Sequence, residues 1–257
     1  MNGENYIIKE HYNMHEHHRE RLRNRFLAEG LDNFEPHNVL ELLLFYAIPR
    51  RDTNEIAHRL MDKFGSLSGV FEADIDEIAA VEGMGQASAV LVKLIPQVAR
   101  RYELDSFGKH EMFDRAEKVG EFLIAKYIGE TVEKVYMISL SSSYRMISCD
   151  LVSEGSVSAS EITTRKIVDI ALTTKAAMVI LAHNHPGGEA KASGDDIAVT
   201  QLVAASLSGV NVSLIEHFVV AGNEYSTIVA GRVGTLRQDT SERGSAIRGD
   251  ERHEQQI

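Results

Sequence analysis

The chain has 257 residues, of which 44% are hydrophobic and 25% charged, and its formal net charge is −11. This length suffices for one or two domains with their own cores. The sequence has no apolar run near the roughly 18 residues of a membrane span, and its polar N-terminus lacks a signal-peptide core, which together predict a cytoplasmic protein. The single cysteine, Cys149, excludes an internal disulfide and a multi-cysteine zinc site. The acidic balance argues against nonspecific DNA binding by bulk charge.

The first part of the chain is predicted to be helical. Residues 1–15 are polar and without period, and we expect them to be disordered. Residues 16–102 contain stretches of helical pattern, several of which stop at a glycine, and predict a compact all-helical domain of four or five helices. Residues 103–112, ELDSFGKHEM, are typical of a linker.

The stretch VEGMGQASA, which begins at Val81, indicates a helix-hairpin-helix turn. Gly83 and Gly85 would let the backbone approach a phosphate, and Lys93 and Arg100 could add positive charge. Glu82 would repel a phosphate from the same turn, and similar hairpins often serve as packing units. A structural or partner-binding role is therefore favoured over contact with DNA.

After residue 113 the pattern changes to mixed strands and helices, which predicts an α/β domain over 113–235. A helix over 114–128 comes first, followed by two strands, EKVYMISL and YRMISCDLVSEG, and a second helix. The apolar strand AAMVILAHNHP then leads into a further helix near Ser193 and two short strands. The charged tail, residues 236–257, is poor in apolar residues and is predicted to be disordered.

The stretch HNHPGGEAKASGDD, which begins at His183, has the composition of a metal site. His183 and His185 lie two residues apart on a strand, so both imidazoles would point to one face. The turn after Pro186 could return Asp196, in the first turn of the next helix, to the two histidines. Two histidines, one carboxylate and an open fourth position make up a catalytic zinc site.

A structural interpretation of the same residues stays open. Ser193 and Asp196 fit a capping box at the start of a helix, and one of the two histidines could be an ordinary core residue. The joint pattern favours the metal site, because so polar a strand end would be costly to bury without a partner. Ser193 could cap the helix and also present its hydroxyl to the site.

The motif carries a specific resemblance. His183-Asn-His185-Pro186, a six-residue spacer, Ser193 and Asp196 resemble the JAMM metalloprotease motif. The context VILAHNHPGG and the later IEHFVV resemble the RadC family of bacterial JAB-domain proteins, and the helical part resembles that family's N-terminal helix-hairpin-helix region. The resemblance covers roughly residues 17 to 230. It implies a cytidine-deaminase-like JAB/MPN fold, a mixed sheet flanked by helices, with a separate all-α N-terminal domain.

The sequence departs from the usual RadC pattern at two places. Gly187-Gly188 stands where Ser-Gly is frequent, and Glu216 stands where an aspartate commonly precedes His217. We therefore expect His217 to support the fold or the ligands rather than to bind the metal.

The resemblance also implies roles for the site residues. His183, His185 and Asp196 would bind Zn²⁺ together with a water, and an upstream glutamate would act as general base. Glu133, which begins the strand after helix 114–128, is preferred over Glu154 and Glu161, because the helix dipole alone explains Glu161. The hydroxyl of Ser193 would stabilise the oxyanion.

The implied function is a zinc-dependent JAMM-type metallopeptidase that hydrolyses a peptide or isopeptide amide of a protein or peptide substrate through a zinc-bound water. One alternative, suggested by the family's DNA-repair label, is a noncatalytic DNA-associated module that uses the helix-hairpin-helix domain. A second alternative is an inactive zinc site that only stabilises the fold.

Overall fold

The computed structural model describes residues 4–108, 111–155 and 160–228, with side chains described over 17–108, 111–155 and 164–228. The predicted tail over 236–257 lies outside these ranges. The chain divides into two compact units, one formed by Met1–Phe107 with Ala125–Val132 and the other by Gly108–Ile124 with Glu133–Ile257. None of the helices in the described ranges has the length and apolar character that crossing a bilayer requires.

The helical unit contains six helices within its described residues. They are α1 (Glu4–Glu29), α2 (Pro36–Leu44), α3 (Asn54–Phe64), α4 (Leu67–Glu72), α5 (Ile75–Ala79) and α6 (Gln86–Asp105). Helices α2 to α6 share an apolar core that includes Leu40, Leu44, Ile56, Leu60 and Val92, and α1 packs through Leu22 in a separate apolar cluster. Local signals set several helix starts: Pro36 is the first residue of α2, and the side chains of Ser66 and Asp74 cap α4 and α5.

Two boundaries differ from the sequence prediction. Residues 4–15, predicted to be disordered, are helical, and the chain from Glu4 to Glu29 contains no glycine or proline that would interrupt α1. Helix α6 continues through Asp105, so the first part of the predicted linker 103–112 is helical as well. Both differences arise because polar stretches carry little apolar periodicity, the signal on which the prediction relied.

The second unit is built on a mixed sheet. Its elements are α7 (Ala116–Tyr127), β1 (Lys134–Leu140), β2 (Met146–Glu154), α8 (Ser160–Thr174), β3 (Met178–Asn184), α9 (Gly194–Ser208), β4 (Ser213–Ala221) and β5 (Glu224–Ile228). The strand order is β2-β1-β3-β4-β5, with β3 and β4 parallel and the other neighbours antiparallel. The predicted mixed sheet flanked by helices is confirmed. The last residues of α7 belong to the helical unit.

Helices cover both faces of the sheet. On one face, α8 and α9 bury a core that includes Met137, Ile167, Leu181, Val203 and Leu207. On the other face, α7 approaches closely enough that Gly120 lies against the ring of Tyr225, which in turn contacts Phe218. The C-terminal end of β3, where His183 is located, therefore faces the N-terminal end of α9 on the first of these faces.

Candidate metal centre

Three donor atoms converge where β3 ends. Nε2 of His183 lies 3.0 Å from Nε2 of His185 and 3.3 Å from Oδ1 of Asp196, and His185 Nε2 lies 3.9 Å from Asp196 Oδ2. Zinc bonds of about 2.0–2.1 Å in a tetrahedral site put neighbouring donors roughly 3.3 Å apart. The two imidazoles and the carboxylate therefore fit a zinc ion, and within the described ranges they form the one such cluster of histidine, cysteine and acidic side chains.

The end of β3 fixes the two histidines. Strand alternation puts both imidazoles on the α9 face, and the N–H of His185 still donates to the carbonyl of Val220 on β4 at 2.8 Å. Gly187 has a φ of 67°, a left-handed conformation that glycine adopts without strain and that turns the chain away from the sheet. Nδ1 of His185 then lies 3.0 Å from the carbonyl of Glu189, which holds the ring in place.

A helix cap fixes the carboxylate. Oδ2 of Asp196 accepts from the backbone N–H and from the hydroxyl of Ser193, each at 2.7 Å, and the Asp196 N–H donates to Ser193 Oγ at 3.1 Å. The predicted capping box is thus present at the start of α9. It leaves Oδ1 directed toward His183, so the structural and the metal-binding interpretations of Ser193 and Asp196 are compatible.

A second, buried row of side chains lies behind His183. Its Nδ1 lies 2.9 Å from Nε2 of His217 on β4, and Nδ1 of His217 lies 2.6 Å from Oγ1 of Thr200 on α9. The Thr200 hydroxyl donates in turn to the backbone carbonyl of Asp196 at 2.6 Å. His217 therefore contacts Nδ1 of His183, the ring nitrogen that faces away from the other two donor atoms.

The environment sets the protonation states that a metal requires. Burial lowers the pKa of His183, although the nearby Asp196 carboxylate acts in the opposite direction, and burial lowers the pKa of His217 to about 3. Burial opposes ionisation of Asp196, but the hydrogen bonds from Ser193 outweigh it and lower the pKa of this carboxyl. At neutral pH the site therefore offers the neutral imidazole of His183 and the ionised carboxylate of Asp196.

Sequence comparisons show which family the chain resembles. Residues 113–232 match the model of the RadC-like JAB domain, and residues 14–90 match that of the UPF0758 N-terminal domain. A UPF0758 protein of Fusobacterium nucleatum is 35% identical over 215 residues, which cover 81% of this chain and 93% of that protein. This chain belongs to the RadC family. A second UPF0758 protein, from Methylibium petroleiphilum, is 31% identical over 201 residues, which cover 78% of the RadC chain and 90% of the relative.

The position of Glu133 in the RadC chain follows from the sheet register. Val135 and His183 form the last pair of β1 with β3, and Glu133 directly precedes β1 at the edge of the sheet where β3 ends. The carbonyl of Glu133 accepts from the N–H of Gly155 at 2.8 Å, which anchors its backbone beside the end of β2. The general-base role of Glu133 stays a prediction.

The two competing glutamates differ in their surroundings. Glu154 lies on β2, which β1 separates from β3, and its Oε1 is 3.3 Å from Nζ of Lys134. The side chain of Glu161 is outside the described ranges. The register therefore favours Glu133 over Glu154.

The predicted DNA-contact residues belong to the helical unit. Gly83 has a φ of 93°, and Gly85 caps α6, so both glycines form the expected hairpin turn between α5 and α6. The ammonium of Lys93, however, donates to the carbonyls of Phe71, Glu72 and Ala73 at the end of α4. The guanidinium of Arg100 pairs with the carboxylate of Glu130. Both cations are thus engaged within the RadC chain, and contact with DNA stays a prediction.

One residue of the site was not predicted from the sequence. Thr200 was not singled out, although it lies four residues after Asp196, one turn along the same helix. This spacing of four residues predicts that Thr200 lies near Asp196. It does not predict the contact with His217, which depends on how α9 packs against β4.

Proposed function

We propose that this chain is a zinc-dependent metallopeptidase of the JAMM type that hydrolyses a peptide or isopeptide amide. The observation that carries the proposal is the convergence of His183, His185 and Asp196 at distances suited to tetrahedral zinc. Membership of the RadC-like JAB domain family supports it. The side chain of His185 is 26% exposed, so this ligand borders solvent.

His183, His185 and Asp196 would hold the zinc. The bound ion would supply Lewis acidity, which makes water nucleophilic at neutral pH and polarises the scissile carbonyl. The chain's own contribution is a set of three donors that hydrogen bonds and burial already orient, so little reorganisation accompanies binding.

Glu133 is proposed as the group that moves the proton. Its carboxylate would accept a proton from the attacking water and deliver it to the nitrogen of the leaving amine as the C–N bond breaks. The pairing of Val135 with His183 supports this role, because it brings the start of β1 to the end of β3 that carries the histidines.

Ser193 is proposed to donate to the oxygen of the tetrahedral intermediate. Its hydroxyl now donates to Asp196 Oδ2, and a hydroxyl can rotate toward another acceptor. The backbone N–H of Ser193 would keep the cap on Asp196 during that rotation. The hydroxyl is therefore available to a substrate without loss of the ligand's orientation.

The test has two steps. Elemental analysis of purified protein should find about one zinc per chain, and a variant that combines His183→Ala with His185→Ala should lose it. The zinc-loaded protein is then incubated with a proteome-derived peptide library and with isopeptide-linked peptides, and mass spectrometry identifies the cleaved bonds.

Glu133→Gln should retain zinc and lose cleavage by a factor of about 10² or more, and Glu154→Gln should behave as wild type. A wild-type protein that holds zinc but cleaves neither kind of amide would sink the peptidase proposal. Unchanged zinc content after loss of both histidines would refute the metal site itself.

A further inference from the structure

The buried row His183–His217–Thr200 ends on a backbone carbonyl, a group that has no proton to donate. The carbonyl oxygen of Asp196 can only accept, and it lies 2.6 Å from Oγ1 of Thr200. The single hydroxyl proton of Thr200 is therefore committed to this carbonyl. Towards its other neighbour, Thr200 Oγ1 can only accept.

This commitment determines the proton positions on His217. Because Thr200 Oγ1 accepts, Nδ1 of His217, 2.6 Å away, carries the proton and donates. His217 is 4% exposed and its hydrogen bonds reach a hydroxyl and an imidazole rather than a carboxylate, so its imidazole is neutral. A neutral imidazole has one N–H, and Nε2 of His217 is therefore an acceptor.

The proton position on His217 in turn determines the proton position on His183. Nδ1 of His183 lies 2.9 Å from the accepting Nε2 of His217, so Nδ1 carries the proton of His183. Its Nε2, which faces His185 and Asp196, is left with a lone pair. A zinc ligand needs this lone pair, and the opposite tautomer would put a hydrogen at the metal position.

We infer that Thr200 and His217 are positioning residues, which fix His183 in the tautomer whose Nε2 lone pair faces the metal. The inference rests on the metal site of the proposed function but not on peptide hydrolysis. The row begins at one ligand residue and ends on the backbone of another, Asp196, so α9 supplies both the carboxylate and the group that orients the histidine. His185 has a separate device, its contact with the carbonyl of Glu189.

The decisive measurement is the histidine tautomer in metal-free full-length protein. Two-bond ¹H–¹⁵N correlation spectra of histidine-labelled protein in chelator distinguish Nδ1–H from Nε2–H for each ring. We expect Nδ1–H for both His183 and His217 in the wild type. An Nε2–H signal for His183 would overturn the inference, and this result needs no variant to fold.

Thr200→Val and Thr200→Ser form the matched pair. Valine keeps the shape but offers no acceptor to His217, so His217 should change to Nε2–H and drive His183 to Nε2–H. Zinc affinity, measured by competition with a chromogenic chelator, should fall by about 10- to 100-fold. Serine retains the hydroxyl, and both its tautomers and its zinc affinity should match the wild type.

A purely structural role for Thr200 predicts another outcome. Thr200→Val would then lower the melting temperature of the metal-free protein without moving the His183 tautomer, and this result would also overturn the inference. Wild-type protein with the expected tautomers and tight zinc but no amide cleavage would instead refute only the proposed peptidase activity.

Discussion

Ser193 and Asp196 exchange three hydrogen bonds across the first turn of α9, while Oδ1 of the same Asp196 lies 3.3 Å from Nε2 of His183. One carboxylate thus starts a helix with one oxygen and faces the histidines with the other. The start of α9 is therefore already in place before a metal binds.

Replacement of Asp196 by asparagine should separate these two roles. The amide oxygen can still accept from the N–H of Ser193, so the start of α9 should persist. Zinc would lose its one anionic ligand. We expect zinc content to fall well below one per chain, with near-wild-type circular dichroism.

Asp195→Asn provides the matched control for that variant. Asp195 is exposed in the same helical turn and carries the same charge, but it is not part of the donor cluster. It should retain zinc. Equal loss of zinc from both variants would mean that bulk charge rather than coordination by Asp196 holds the ion.

Glu216 should make stability depend on pH. Burial raises the pKa of this carboxyl to about 7 from an ordinary 4.5, and among the described residues its Oε2 has no hydrogen-bond partner. Between pH 4.5 and 7 the folded state keeps a proton that the unfolded state releases. The stability that this proton contributes is therefore fully present below pH 4.5 and is lost as the pH rises through 7.

Thermal unfolding in chelator at a series of pH values checks this prediction. Glu216→Gln should remove part of the decline and should melt above wild type at pH 8. Glu224→Gln, at an exposed position of β5, serves as the control. Parallel pH profiles for wild type and Glu216→Gln would contradict the prediction.

Gly120→Ala should destabilise the α/β unit. A methyl group at this position of α7 would overlap the ring of Tyr225. Overpacking costs about 1–3 kcal/mol, which exceeds the gain of about 1 kcal/mol in helix propensity. The melting temperature should fall, and Tyr225→Leu in the same chain should recover part of the loss. Gly194→Ala, in open space at the start of α9, should not lower it.

Lys93→Met should loosen the helical unit. The variant removes a charged donor from three carbonyls at the end of α4, at about 1.5–3 kcal/mol. Hydrogen exchange of amides in α4 and α6 should accelerate. Lys63→Met, which removes one exposed hydrogen bond to the carbonyl of Glu77 and a cation–π contact with Phe64, should have a smaller effect. Normal exchange together with weakened DNA binding would instead favour the DNA-associated alternative.

The sequence predicted those parts of the site that depend on local signals. His183 and His185 could be placed because strand alternation fixes their shared face, and Ser193 and Asp196 because a capping box has a fixed spacing. The order of strands and helices after residue 113 could also be predicted, since apolar periodicity marks each element.

Tertiary packing accounts for what the sequence did not predict. The contact of Thr200 with His217 joins α9 to β4, and no periodicity encodes which residues of two packed elements meet. From the sequence, Lys93 could be described only as a residue that could add positive charge to the hairpin, because the carbonyls it binds lie about 20 residues away, at the end of another helix.

Each of the two compact units is made of two separate segments of the chain, so one cut does not separate them. Residues 125–132 belong with the helical unit although they follow the first residues of the α/β unit. A single cleavage near residue 108 would leave Glu130 on one fragment and Arg100, its ion-pair partner, on the other. The two halves are interleaved, so swapping one of them between relatives requires two exchanged segments rather than one crossover point.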